Sequence, residues 1–114
     1  MTRTTDATLL RLFIGESDEH DGRPLHEAIV LKARAFGLAG ATVVRGARGY
    51  GRSSRLHSSK ILRLSEDLPV VVEIVDTEAR IDGFLAKAQA MLGSCLVTLE
   101  PVRILRYGHD AELS

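Results

Sequence analysis

The sequence predicts an α+β sandwich in which a four-stranded antiparallel sheet carries two helices on one face. Four apolar runs and two segments of helical periodicity follow one another in the order βαββαβ. Two helices cannot cover both faces of such a sheet, so both are expected on the same face. The length of 114 residues suits a single domain. This arrangement is the ferredoxin-like sandwich.

The first half of the chain supplies a strand and a helix. Residues 8–15 form a nearly continuous apolar run, which is typical of a mostly buried strand. An acidic turn over residues 16–21 follows and is closed by Gly22. Pro24 indicates the start of a helix and Gly37 its end, because proline suits a first helical turn and glycine suits a left-handed cap. The apolar residues between them recur at steps of three and four: Leu25, Ala28, Ile29, Ala33 and Phe36.

The second half supplies three strands and a second helix. The predicted strands are residues 41–44, 68–75 and 96–107. Asp76 or Thr77 is expected to cap the second helix, since both side chains accept a hydrogen bond from a first-turn N–H. Gly93 ends this helix. Its apolar stripe consists of Ile81, Phe84, Leu85, Ala88 and Met91 or Leu92.

Two of the predicted strands are apolar on both sides of the pleat. In residues 8–15 and 68–75, neighbouring positions are apolar almost without interruption. Strands buried on both faces have this pattern. Because the predicted helices cover one face of the sheet, we expect other copies of the chain to cover the second face.

Composition narrows the class of protein. Hydrophobic residues make up 45% and charged residues 26% of the chain, which is an ordinary globular balance. Fifteen basic residues cancel fifteen acidic ones, so general attraction to nucleic acid or to an anionic membrane is not expected. The single cysteine, Cys95, excludes an internal disulfide and suits a reducing compartment.

The sequence also favours a cytoplasmic location. No apolar run approaches the roughly 20 residues of a membrane span. Residues 1–8 lack the apolar region of a secretory signal. We therefore expect one cytoplasmic domain over residues 1–114, with a core at about 8–107 and flexible termini at 1–7 and 108–114.

One segment concentrates the basic charge. Residues 45–63 contain six basic residues and no acid: Arg45, Arg48, Arg52, Arg55, Lys60 and Arg63. Guanidinium groups bind phosphate or carboxylate in bidentate geometry, and glycines allow backbone N–H groups to approach an anion. The pattern favours a nucleotide or phosphate ligand. An acidic protein partner and a simple solvated loop are the alternatives.

Motifs for catalysis and for metal binding are weak. The glycine spacing matches neither a Walker A loop nor GxGxxG, and no nucleophile elbow is present, so no enzyme is predicted. His57 is expected to donate hydrogen bonds or to have no role, rather than to act as an acid or base. His20 and His26 flank the acidic turn, but their spacing matches no metal-binding pattern. Tyr50 and Tyr107 are candidates either for stacking on a ligand or for packing.

Two stretches resemble the PII-like family called domain of unknown function 190. They are GATVVRGARGYG at residues 40–51 and LPVVVEIV at residues 68–75, and IGE at 14–16 with GRPL at 22–25 adds to the likeness. The resemblance covers about residues 9–107. More distantly, GYGR at 49–52 resembles the Gly-Phe-Gly-Arg at the base of the long loop of PII signalling proteins. The resemblance implies a ferredoxin-like trimer with effector sites between subunits and a target-binding loop between the second and third strands.

The chain departs from the PII pattern at the phosphate loop. PII proteins carry a glycine- and lysine-rich connection between the second helix and the fourth strand, whereas here it shrinks to about Gly93-Ser94-Cys95. Of the basic pair near the end of the PII fourth strand, Arg106 is matched and Ile104 stands at the other position. The departure favours a nucleoside monophosphate or diphosphate over a triphosphate.

Together these observations predict a regulatory homotrimer that binds an adenine nucleotide between subunits. The expected ligand-binding residues are Arg45, Gly46, Gly49, Gly51, Arg52 and Arg106. The loop residues expected to meet a target protein or membrane transporter are Arg48, Tyr50, Arg55, His57 and Lys60. Ligand contacts would order the loop and change its affinity for the partner. No catalytic or metal-binding residue and no nucleic-acid partner is predicted. A ligand-free adaptor trimer that grips an acidic surface and a metal-binding PII-related trimer are the alternatives.

Overall fold

The computed structural model describes residues 3–46, 68–93 and 95–105. The elements are β1 (Thr5–Gly15), β2 (Glu19–His20), β3 (Arg23–Pro24), α1 (Leu25–Phe36), β4 (Thr42–Arg45), β5 (Pro69–Asp76), α2 (Glu78–Leu92) and β6 (Leu96–Ile104). The predicted order βαββαβ is confirmed. The difference is the short β2–β3 hairpin, which forms within and just after the acidic turn.

The main sheet has the strand order β4-β5-β1-β6, and every neighbouring pair is antiparallel. β1 is central: Leu10 lies opposite Ile74 of β5 and opposite Leu99 of β6. Consecutive strands are therefore not always neighbours, and the helices make the crossovers. This topology brings the end of β4, the start of β5 and the end of β1 to the same edge of the sheet.

The hydrophobic core lies between one face of the sheet and the two helices. β1 and β5 alternate strictly along most of their length, and the side chains that point toward the helices are Leu10, Leu12, Ile14, Val70, Val72 and Ile74. α1 contributes Ile29 and Ala33, and α2 contributes Ile81, Phe84 and Ala88. The two helices approach closely because Gly83 has no side chain: a Cβ there would lie 3.0 Å from the ring of Phe36. The predicted helix stripes are thus the faces that pack.

The helix ends follow the predicted cap residues. α1 begins directly after Pro24 and ends at Gly37, which has the left-handed φ of 91° and donates to the carbonyls of Ala33 and Arg34. Of the two predicted caps of α2, Thr77 is the one whose hydroxyl accepts from the Arg80 N–H, at 3.4 Å. Gly93 follows the last residue of α2 with a φ of 51°.

Asp76 has a larger structural role than capping. Its side chain is fully buried, and its carboxylate accepts from the N–H of Ala39 at 2.9 Å and of Thr77 at 2.7 Å. Arg80 forms an ion pair with the same carboxylate at 3.2 Å and donates to the carbonyl of Gly37. Asp76 therefore joins the end of β5 to the start of α2 and to the connection after α1.

Two strand boundaries differ from the sequence prediction by three residues. β1 begins at Thr5, three residues early, because Thr5 pairs with Ile104 and Ala7 pairs with Val102 of β6. Residues 5–7 thus belong to the sheet, although the sequence assigned them to a flexible terminus. β6 ends at Ile104, and Arg106 and Tyr107 lie outside the described residues. Pairing with a neighbouring strand, rather than apolar character, decides where β1 starts.

The second face of the sheet is largely apolar. On this face, which we call the open face, β1 carries Leu9 and Phe13 and β5 carries Val71 and Val75, all half-buried. The outer strands add Val44 of β4 and Leu96 of β6, which are 45% and 55% exposed. In the described ranges both helices pack on the other face.

One ion cluster interrupts the open face. Arg11 donates from Nε to Glu73 and from Nη1 to Glu100, both at 3.0 Å. The hydrogen bond to Glu73, followed by that to Glu100, raises the pKa of Arg11 above its ordinary value. Arg11 was the one exception to the apolar character of the predicted strand, and the neighbouring strands supply its counter-charges.

Candidate functional site

The candidate site lies where β4 ends, because Arg45 and Gly46 are the predicted anion-binding residues that the structure describes. Gly46 donates its N–H to the carbonyl of Pro69 at 2.8 Å, so the ladder with β5 continues one residue past the strand. Across β5, Glu16 donates its N–H to the carbonyl of Leu68 at 2.9 Å. Both backbones are thus tied to the start of β5, which fixes their separation.

Arg45 and Glu16 form an ion pair across β5. The Nε of Arg45 lies 2.9 Å from Oε2 of Glu16, and the two side chains are 53% and 32% exposed. Arg45 is opposite Val70, and Val70 is opposite Ile14, so Arg45 stands on the helix-side face of the sheet. A guanidinium has five N–H donors, of which this contact uses the one on Nε. The arrangement is a strand-held cation with an acid beside it.

The acidic turn holds Glu16 in place. Asp18 accepts the N–H of Gly15 on its side chain at 2.9 Å, and its own N–H donates to the carbonyl of Gly15 at 3.1 Å. The carbonyl of Asp18 accepts from Leu25, the first residue of α1, at 2.7 Å. Asp18 thus closes the turn onto both β1 and α1, and Glu16 follows directly from this fixed end of β1.

No metal site is found in the part of the chain that the structure describes. No group of three or more His, Cys, Asp or Glu side chains there is arranged to hold an ion. Three carboxylates of the turn contact protein groups: Glu16 contacts Arg45, Asp18 contacts Gly15, and Asp21 lies 3.4 Å from His20.

The remaining predicted site residues lie outside the described residues. These are the ligand-binding candidates Gly49, Gly51, Arg52 and Arg106, and the partner candidates Arg48, Tyr50, Arg55, His57 and Lys60. Their roles stay predictions. The structure brings Arg45 and Gly46 together with Glu16, which the sequence pattern placed only in an acidic turn. The signal that would have found Glu16 is strand order, because β1 and β4 flank β5 in a ferredoxin-like sheet.

Three clefts formed by described residues lie away from Arg45. The largest, about 480 Å³, is on the open face between residues 39–42 and Ile104. Thr42 in its wall pairs with Glu73, whereas Arg45 pairs with Val70 at the opposite end of β4. The other two, about 460 and 260 Å³, lie between β6 and Glu78 at the start of α2. None of these three clefts includes Arg45 or Gly46.

Cys95 lies immediately before β6 and is partly buried. Its Sγ is 3.5 Å from the carbonyl oxygens of Phe13 and Leu96. Burial raises the pKa of the thiol, so the unreactive thiol form is favoured. This residue packs at a strand start, as free cysteines commonly do.

Comparison with protein families supports the motif resemblance. The model of the DUF190 family, described as "Uncharacterized ACR", matches residues 7–104. A UPF0166 protein of Aquifex aeolicus is 37% identical over 103 residues, which is 90% of this chain and 97% of that protein. A UPF0166 protein of Methanocaldococcus jannaschii is 36% identical over 81 residues, covering 71% and 74% of the two chains. The family resemblance drawn from the motifs is confirmed.

Solved structures with the same fold are PII-like proteins. CPII of Thiomonas intermedia K12, bound to ADP and bicarbonate, matches with a TM-score of 0.67 at 14% identity and covers 93% of this chain and 95% of its own. A putative PII-like signaling protein of Thermus thermophilus matches with a TM-score of 0.60 at 17% identity, covering 90% and 92%. At these identities the likeness shows the fold. The predicted PII-like, ferredoxin-like fold is confirmed.

Neither of the two helices in the described ranges is both long and apolar enough to cross a membrane.

Proposed function

The chain belongs to the DUF190 family, and we propose that it is a PII-like regulatory protein whose effector is an adenine nucleotide. The main support for this proposal is the position of Arg45 at the end of β4. The next residue, Gly46, donates its N–H to the carbonyl of Pro69, which fixes this end of the strand in the sheet. CPII, which shares the fold, was solved with ADP and with AMP. The description of CPII as a nitrogen regulatory PII-like protein supports proposing a regulatory rather than a catalytic role.

A strand-held guanidinium is well suited to bind an anion. Because the backbone of Arg45 is already ordered by pairing with Val70, binding costs less conformational entropy than at a loop tip. Guanidinium and phosphate match in bidentate geometry, and such charge-assisted hydrogen bonds are stronger than neutral ones. The predicted Gly49, Gly51, Arg52 and Arg106 would complete the site, and ADP or AMP fits the short connection after α2 better than a triphosphate does.

We place the site between subunits of a homotrimer. The open face exposes apolar side chains to water, which is energetically unfavourable. Val44 and Leu96 are the most exposed of these side chains. Val44 of this face directly precedes Arg45 in β4, so copies packed on the open face would bring the end of β4 to the boundary between subunits. The assembly would act in the cytoplasm, which suits a free cysteine.

The proposal includes a partner protein that the basic segment engages. Arg48, Tyr50, Arg55, His57 and Lys60 lie beyond the ligand-binding end of β4 along the chain. Nucleotide contacts at Arg45 would bias the conformation of the following residues and so change their affinity for an acidic partner surface, on a soluble target or a membrane transporter.

Titration calorimetry with ADP and with AMP tests the site. Replacing Arg45 with alanine is expected to weaken binding by about 1.5–3 kcal/mol, the usual value of a hydrogen bond to a charged group. That loss is roughly a tenfold to 150-fold rise in Kd. The control is Arg34→Ala, which removes an exposed arginine from the last turn of α1, at the other end of the sheet.

Two results would contradict the proposal. Equal affinity of the wild type and Arg45→Ala would exclude this location of the site. Absence of nucleotide binding by the wild-type protein would exclude the nucleotide sensor and favour the ligand-free adaptor.

A further inference from the structure

We infer that Glu16 is a built-in competitor for the anionic effector and sets how strongly Arg45 binds it. The inference rests on the proposed function, because it concerns the same guanidinium. Glu16 already makes with Arg45 the contact that a phosphate oxygen would make: Oε2 lies 2.9 Å from Nε. A phosphate that binds Arg45 in bidentate geometry through Nε and a neighbouring Nη needs the donor that Glu16 occupies, so it displaces the carboxylate.

The carboxylate is held opposite Arg45 by the fold. The N–H of Glu16 is bonded to Leu68, and the residue before it is bonded to Asp18. Arg45 is held by its pairing with Val70. Since both backbones are anchored to β5, the pair forms from two prepositioned groups rather than from two flexible loops.

The strength of the pair suits a competitor that is displaced easily. Exposed ion pairs are weak, and one of this kind changes a binding constant by about two- to fivefold. Glu16 therefore reduces affinity without blocking the site. A displaced carboxylate also stays near the bound anion, and like charges repel more strongly as the charge of the anion grows. Glu16 should therefore disfavour ADP more than AMP.

The test is titration calorimetry of ADP and AMP into the full chain and its variants. Glu16→Gln is expected to bind ADP about two- to fivefold more tightly than the wild type, with a smaller gain for AMP. Glu16→Ala should behave in the same way, which guards against a new hydrogen bond from the glutamine. The control is Glu27→Gln in α1, which removes an equal charge from an exposed ion pair with Arg23. The affinity of Glu27→Gln for ADP and for AMP should equal that of the wild type.

A double variant separates contact from general charge. In Glu16→Gln combined with Arg45→Ala, the gain from Glu16→Gln should shrink toward zero, because the competitor acts through Arg45. Arg45→Ala could weaken binding while both Glu16 variants bind no more tightly than the wild type. In that case the inference that Glu16 competes with the anion is wrong, and the proposed site at Arg45 stands. If Arg45→Ala leaves binding unchanged, or the wild type binds neither nucleotide, the inference about Glu16 and the proposed site at Arg45 are both wrong. A gain in Glu27→Gln equal to that in Glu16→Gln would also overturn the inference.

Discussion

Asp76 shows how much a single buried carboxylate contributes to this fold. It is fully buried, and it accepts two backbone N–H groups besides its ion pair with Arg80. A buried charge is tolerated when such partners replace water. Because the partners belong to separate segments, Asp76 connects the end of β5 with the end of α1 and the start of α2.

Replacing Asp76 with alanine is expected to lower the free energy of unfolding by about 2–4 kcal/mol. The N–H groups of Ala39 and Thr77 lose their acceptor, and the guanidinium of Arg80 loses its counter-charge. Urea unfolding followed by circular dichroism measures the change.

Asp82→Ala is the matched control for this variant, since Asp82 is exposed on α2. It should alter stability by less than about 0.5 kcal/mol. A loss below about 1 kcal/mol for Asp76→Ala would show that the cluster is not an important source of stability.

At the same scale, Arg45 and Glu16 show that a basic residue in a sequence motif is not automatically a free cation. The basic segment at residues 45–63 predicts an anion site that includes Arg45, and the structure places Glu16 against this arginine. The prediction and the structure agree when an anion that binds through Nε of Arg45 replaces this carboxylate.

At the scale of elements, the end of α1 depends on Gly37. Its φ of 91° is a conformation that side chains rarely adopt, and its N–H closes the last turn of the helix. Its carbonyl accepts from Arg80, and a Cβ would lie 3.4 Å from that guanidinium.

Gly37→Ala is expected to destabilise the protein by about 1 kcal/mol, because alanine is strained in the left-handed region. The comparison is Gly40→Ala in the same connection, where a Cβ meets no atom within 4 Å and φ is not left-handed. Gly40→Ala should cost less than about 0.5 kcal/mol or stabilise slightly. Thermal unfolding of the two variants distinguishes them, and equal losses would refute the cap argument.

For the whole molecule, the open face is the feature that predicts assembly. Both helices pack on the opposite face, and apolar side chains from all of β1, β4, β5 and β6 remain on this one. In the cluster of Arg11, Glu73 and Glu100, both carboxylates contact the one guanidinium, which leaves a net charge of −1 among these apolar side chains.

Sedimentation equilibrium at micromolar concentration is expected to give three times the mass of the chain. Val44→Glu and Leu96→Glu each place an unpaired charge on the open face, so both should shift the protein toward monomer. Leu31→Glu is the control, because Leu31 is 42% exposed on α1, outside the open face. A monomeric wild type, or variants that all sediment like it, would contradict assembly through this face.

Local patterns in the sequence were sufficient to predict the elements and the fold class. Apolar periodicity, Pro24, Gly37 and Gly93 are local features, and local features specify where helices and strands form. The predicted strands and helices therefore agree with the structure to within about three residues. The β2–β3 hairpin was missed because two-residue strands carry no periodicity.

The contacts between side chains that are distant in sequence could not be predicted from such local patterns. Glu16 and Arg45 are 29 residues apart, Ala39 and Asp76 are 37 apart, and Arg11 lies 62 and 89 residues from Glu73 and Glu100. Contacts between residues so far apart in the sequence depend on strand order and register. A shift of register by one residue would move every side chain of a strand to the other face. For that reason the composition and motifs indicated an anion-binding arginine, whereas its acidic neighbour emerged only when β1 and β4 were placed on either side of β5.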